Sequence, residues 1–246
     1  MKLTHGLAAL VLLASASAAH AEITGTVTAV SDYNWRGITQ TSQDPAIQGS
    51  LDYSHESGFY VGAWASNVDF GDCCDESMEL DTYVGFSGGE EVTWDVGLNY
   101  YWYPGADDID FGEIYAGLGY KWLEGKIWYS NDFANSGESA FYYEANAAFE
   151  LPANFGLEAH VGFSDSDLCY AASFDSSGDL LDCEDSYMDW SIGVTYTVGH
   201  FDLGLKWVDG SDLDSEDVPC ESWGDASSCE ARAIFSVSTT FPWSKE

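Results

Sequence analysis

The chain has 246 residues, of which 42 are Asp or Glu and only seven are Lys or Arg, giving a formal charge of −35. So acidic a chain lacks the basic footprint of a nucleic-acid binder, and that class is set aside. Disorder is also set aside, because 15 % of the residues are Phe, Trp or Tyr and supply ample apolar surface to bury.

The first 21 residues read as a secretory signal peptide. Lys2 gives a positive start, Gly6 to Ala19 is apolar and small, and Ala19-His20-Ala21 fits a small-x-small cleavage site. Residues 22–246 then form one domain. No later stretch approaches the roughly 18 apolar residues of a spanning helix. Aromatic residues and 25 Gly in short, regularly spaced segments favour an all-β fold.

From Thr24 to Arg36 the side chains alternate. Thr24, Thr26, Thr28, Asp32, Asn34 and Arg36 fall on one parity, with Val30 the exception, and Ile23, Val27, Ala29, Tyr33 and Trp35 on the other. Period-two alternation marks a strand with one wet and one apolar face. A loop near Gln43 leads to a second strand around Ile47–Ser54. Glu56-Ser57-Gly58 then turns the chain into a third, roughly Phe59 to Phe70. The run from Ser31 to Val68, with SDYxxRGITQT followed by PAIQGSLDYSHESGFYVGAWASNV, resembles the N-terminal signature of the TorF-family porins of proteobacteria. The resemblance implies an outer-membrane barrel and names no substrate.

The same alternation continues. It predicts strands over Leu80–Ser87, Val92–Tyr103, Glu113–Trp122, Lys126–Phe133, Phe141–Leu151, Phe155–Ser164, Met188–Val198, Phe201–Trp207 and Ala231–Phe241. That makes about twelve strands. Tight turns fall near Ser57, Gly89, Glu124, Ala153 and Gly199, and longer loops near Gln43, Cys74, Asp108, Gly137, Gly178 and Glu221. An even strand count with short turns on one rim and long loops on the other is the pattern of an antiparallel up-and-down transmembrane β-barrel. The expectation is short periplasmic turns, long acidic extracellular loops and a place in the outer membrane of a Gram-negative bacterium. Aromatic residues near strand ends, such as Tyr33, Trp35, Trp102, Trp122, Trp190 and Trp207, fit interfacial girdles. A secreted β-sandwich is the competing fold.

The polar parity supplies the expected pore lining: Asp32, Arg36, Asp52, Asp81, Asp95, Glu113, Lys121, Lys126, Glu144, Glu158, His160, Asp189, Asp202, Lys206 and Arg232. Adding Asp132 and Glu150, the wet face carries eleven acids against five bases. A low-dielectric wall focuses such a field and attracts cations. The bases serve either to neutralise lumen carboxylates or to shape a constriction.

No Walker loop, nucleotide fingerprint or His-Glu-x-x-His occurs, and no cofactor is expected. His160, Glu158 and Ser164 share the wet face, and an ordinary lumen histidine is the plain reading, so the chain is not read as an enzyme. Loops 71–79, 166–186 and 210–229 carry four, six and six acids and no Lys or Arg. They form a solvated, repelling surface or weakly capture Ca²⁺ or Mg²⁺. Cys73, Cys74, Cys169, Cys183, Cys220 and Cys229 lie in these loops. In an oxidising compartment Cys169–Cys183 and Cys220–Cys229 would each staple one loop. The sequence therefore leads to a passive, cation-preferring channel for small solutes among outer-membrane lipid. A barrel with a filled lumen is the alternative.

Overall fold

The computed structural model describes residues 21–70, 77–106, 109–168, 171–174, 180–211 and 229–243. The signal peptide and Cys73, Cys74, Cys169 and Cys220 lie outside the described residues, as does most of the three acidic loops.

Twelve strands close into a ring. They are β1 (Glu22–Val30), β4 (Ala46–Ser54), β5 (Phe59–Asn67), β6 (Met78–Gly89), β7 (Val92–Trp102), β8 (Phe111–Tyr120), β9 (Leu123–Ser130), β10 (Ala140–Leu151), β11 (Phe155–Ser166), β14 (Ser186–Val198), β15 (Phe201–Ser211) and β16 (Arg232–Phe241). Every neighbouring pair is antiparallel, and β1 closes the barrel by pairing with both β4 and β16. Closure removes the two free sheet edges that an open sheet would leave. Two small sheets are separate from the ring of strands: β2 (Asn34–Trp35) with β3 (Ile38–Thr39), and β12 (Ala171–Phe174) with β13 (Leu180–Glu184). Among the described residues no helix is long and apolar enough to cross a membrane, which says nothing about a barrel.

The alternation read from the sequence decides which side chains point in. In β7 the outward set is Val92, Trp94, Val96, Leu98 and Trp102, all exposed, while Asn99 and Tyr101 on the other parity are buried. In β8 Ile114 and Leu118 are exposed and Glu113 and Tyr115 are buried. The protein is thus inverted relative to a soluble sandwich, with its apolar residues outside and its polar residues inside. Trp102, Trp190 and Trp207 face outward toward the long-loop rim, and Trp94, Trp122 and Trp243 toward the short-turn rim.

Three expectations about local structure need correction. The turn placed at Leu123-Glu124-Gly125 is at Lys121-Trp122, where Tyr120 pairs with Leu123 and Lys121 takes a positive φ of 57°. Glu124 thereby moves from a turn into the inner face. The strand drawn from Thr24 to Arg36 ends at Val30. Its continuation leaves the wall, so Tyr33 and Trp35 are not girdle residues: Tyr33 is only 6 % exposed, and Trp35 packs among buried side chains.

Candidate functional site: the barrel interior and its crossing hairpin

Residues 31–45 fold into the barrel. Asn34-Trp35 and Ile38-Thr39 pair across a two-residue turn at Arg36 and Gly37, whose φ angles are 49° and 83°. Two successive positive φ values are the mark of the tight hairpin turns that match strand twist. Gly37 is required twice over. Its φ favours glycine, and a Cβ there would lie 2.7 Å from the Asp189 Cβ. The hairpin leaves the wall at β1 and reaches β8, on the far side of the ring. It therefore bridges the lumen.

Apolar contact and charge both hold it there. Trp35 stacks on Phe133 at 6.1 Å and meets the Tyr101 ring edge-on at 5.8 Å, within a cluster that includes Ile38, Tyr103, Phe111, Tyr187 and Cys229. The Arg36 guanidinium lies 4.3 Å from the Trp35 ring centroid and 4.1 Å from that of Tyr142. It also donates twice to Glu113, Nη1 to Oε1 at 2.9 Å and Nη2 to Oε2 at 2.7 Å. A fork-to-carboxylate pair of this kind is both stronger and more directional than a single contact. Burial works to lower the Arg36 pKa, but Glu113 outweighs it and raises the value, so the guanidinium stays charged. Tyr33 donates to Glu79 at 2.9 Å; burial first, and then that carboxylate, push the phenol well above its ordinary range and keep it a donor.

Asp32 ties the base of the hairpin. It accepts from Thr39 Oγ1 and, at 2.9 Å, from Arg232 Nη1 on β16. Nearby, Thr41 donates to the Asp44 carbonyl at 2.7 Å and its hydroxyl accepts from the Tyr33 amide at 3.1 Å.

Below the hairpin the inner wall carries further pairs. Lys126 donates to Asp95 at 3.2 Å, with Glu124 at 4.0 Å and the Tyr115 and Trp128 rings alongside. His160 sits among Asn146 (2.7 Å from Nδ1), Asp189 (2.9 Å from Nε2), Glu144 (3.7 Å) and the Tyr142 hydroxyl (2.9 Å). Its partners are these groups and not Ser164. Trp128 and Asn146 donate to Glu144 at 2.7 and 3.0 Å. Toward the short-turn rim Asp52 accepts from Ser50 at 2.8 Å and from the Tyr83 hydroxyl, and Asp202 from Thr197 at 2.5 Å. Glu158 and Lys206 are inward on β11 and β15.

Of the fifteen residues expected to line a pore, fourteen face the interior. Lys121 does not; it is exposed on its turn, with Nζ 4.7 Å from the Tyr120 ring centroid. Glu150 is also exposed, and Asp132 lies in the loop between β9 and β10. Two inward acids went unrecognised, Glu79 and Glu124. Glu79 continues the parity of Asp81 and Tyr83, although the sequence places it at the end of the acidic loop 71–79. Asn99, on the wet parity of β7, also proves to be buried. The inside thus carries Asp32, Asp52, Glu79, Asp81, Asp95, Glu113, Glu124, Glu144, Glu158, Asp189 and Asp202 against Arg36, Lys126, Lys206 and Arg232.

Cys229 is buried in the hairpin cluster and is disulfide-bonded. Among the described residues no three Cys, His, Asp or Glu side chains converge as a metal site.

A closed antiparallel barrel with an apolar outside and a charged inside is the architecture of outer-membrane porins. The chain is similar to two solved structures of that kind. One is titled "KdgM porin", at TM-score 0.53 and 5 % identity, covering 89 % of this chain and 99 % of that one. The other is the NanC porin, at TM-score 0.53 and 9 % identity, covering 89 % of this chain and 100 % of that one. Identities this low speak for the fold alone. The chain belongs to the Gcw_chp family, described as a bacterial protein of unknown function, whose model matches residues 14–241. No curated protein sequence matches it.

Proposed function

We propose that the protein is a porin-like channel of the Gram-negative outer membrane, passing small solutes by diffusion and favouring cations. The observation that carries this reading is the inner face, with eleven acids and four bases inside a closed barrel. Carboxylates in excess within low-dielectric walls raise the local cation concentration. The porin fold of the two similar structures supports it, as does the resemblance of residues 31–68 to the TorF family. Long loops would face outward from the cell and both ends of the chain the periplasm. Disulfides Cys169–Cys183 and Cys220–Cys229 would staple two of those loops, and their acids would gather Ca²⁺ or Mg²⁺ weakly. No catalytic chemistry enters this reading.

Reversal potentials across a KCl gradient in planar bilayers test it: a potential of the sign set by K⁺ is expected, and anion preference at low salt would refute cation selection. The crossing hairpin favours a second reading, a barrel with its lumen filled and no current at all. Absent conductance from correctly folded protein would decide for that reading. Labelling single cysteines at Ser177 and Ala153 on intact cells tests orientation, with Ser177 expected to react and Ala153 to be shielded.

A further inference from the structure

On the inner face of β6, Glu79 and Asp81 stand two residues apart, so their side chains point the same way. Each lies within the other's electrostatic reach. Across the sheet on β7, Asn99 turns its amide to them and donates from Nδ2 to Asp81 Oδ2 at 3.0 Å. That bond fixes the amide orientation, because the reverse would set two oxygens face to face. One oxygen is then left over on each partner. Asp81 Oδ1 and Asn99 Oδ1 are both buried, and no donor among the described residues reaches either. Asn99 as a whole is only 7 % exposed, and Asp81 is half-buried.

An orphaned acceptor in such a place carries its full desolvation penalty. The Arg36 guanidinium is spent on Glu113, which is the cross-strand neighbour of Asn99. Tyr33 gives its single proton to Glu79. A proton shared between Glu79 and Asp81 would relieve one oxygen pair and leave the Asn99 carbonyl bare. A cation would satisfy the carboxylate and amide oxygens together.

We propose that Asp81, Asn99 and Glu79 form a lumenal site for a small hard divalent cation of the Mg²⁺ kind, just beneath the crossing hairpin. All the donors are oxygens, as hard cations require, and the set is small. Mg²⁺ is the divalent ion that is held by one or two carboxylates while keeping several waters. Weak holding suits a transport path, where an ion must leave as readily as it enters. The assignment rests on the channel reading only for that last point, since the site binds whether or not current flows.

The test uses the full barrel refolded in detergent, with Mn²⁺ as the probe followed by electron paramagnetic resonance and Mg²⁺ as competitor. Mn²⁺ also reports the acidic loops, so variants carry the argument. D81N and N99L should each remove the tightest class of sites or weaken it by about tenfold or more, as expected for losing a close charge or dipole facing a divalent ion. E90Q, on an exposed short turn, should leave it unchanged. Should D81N fail to fold, N99L decides alone, because it removes the orphaned oxygen without touching a charge. Identical isotherms for wild type, D81N and N99L would overturn the site and leave a shared proton as the answer. Loss of binding without K⁺ current in the wild type would uphold the site and reject the channel.

Discussion

The two halves of the lumen are built from the same strands but are held by different kinds of contact. Toward the long loops, Glu113, Tyr142 and Asp189 are no more than 3 % exposed, and Glu113 and Tyr142 meet Arg36 from a hairpin that crosses from the opposite wall. Toward the short turns, Asp52, Glu158 and Asp202 are only half-buried, and Asp52 and Asp202 bond to side chains of the wall itself, on their own strand or within two strands of it. The first half resembles a protein core that happens to be charged; the second resembles a wetted wall. What separates them is a segment of fifteen residues, 31–45, and not any change in the barrel. A constriction here is an inserted part.

The sharpest way to break the contrast is to remove that part. Replacing residues 34–39 with a short Gly-Ser link should raise single-channel conductance several-fold, because the bridged section would then be as open as the other half. Unchanged conductance would mean that the narrowest point lies elsewhere. Next in size is Glu113→Ala. It leaves the Arg36 guanidinium buried without its partner, which should cost roughly 3–5 kcal/mol, read from urea unfolding in lipid vesicles. Glu158→Ala in the wetter half should cost far less in the same assay. Then comes Gly97→Val. The hydroxyl end of Tyr115 lies over Gly97, and a Cβ there would approach that hydroxyl to 2.5 Å. Forcing it away should cost about 1–3 kcal/mol as an overpacked contact does. The smallest effect is expected from Asp202→Asn, where one charge near the short-turn rim is lost. It should shift the reversal potential by a few millivolts toward zero and fade at high salt, because the Debye length is about 8 Å at physiological strength.

The wetted half was readable from the sequence and the inserted part was not, for a physical reason. A period of two says which side chains share a face, and Asp52, Asp95, Glu158 and Asp202 stand inward on that count alone. The same count runs on through Asp32, Asn34 and Arg36 with nothing to stop it. Asp32 and Arg36 are indeed inside, but they arrive by way of a hairpin and not along a strand. The signal that could have found it was local: Trp35 and Ile38 flank Arg36-Gly37, an apolar pair around a two-residue turn ending in glycine. Parity sets Tyr60, Tyr83 and Tyr115 on the inner face but does not give their pose. Tyr60, Tyr83 and Tyr115 lie over Gly85, Gly62 and Gly97 of adjoining strands, so they line the wall instead of narrowing the passage. Glu79 and Glu124 fall at strand ends, where a period of two does not mark which residue begins the strand and which ends the loop.

The stitching at the hairpin's base also orders events in time. Asp32 is bound to Arg232, 200 residues further on, and the Ser31 amide to the Phe235 carbonyl. Contacts between positions so distant in sequence form late, since the intervening chain must first be brought round. The segment that narrows the lumen is made among the first, and its tip can meet Glu113 and Tyr142 early, yet its base stays untied until β16, the last strand, comes alongside β1. Assembly intermediates that lack β16 should therefore carry a hairpin held at its tip but loose at its base, and the protein would acquire its fully stitched narrow state only in its final step.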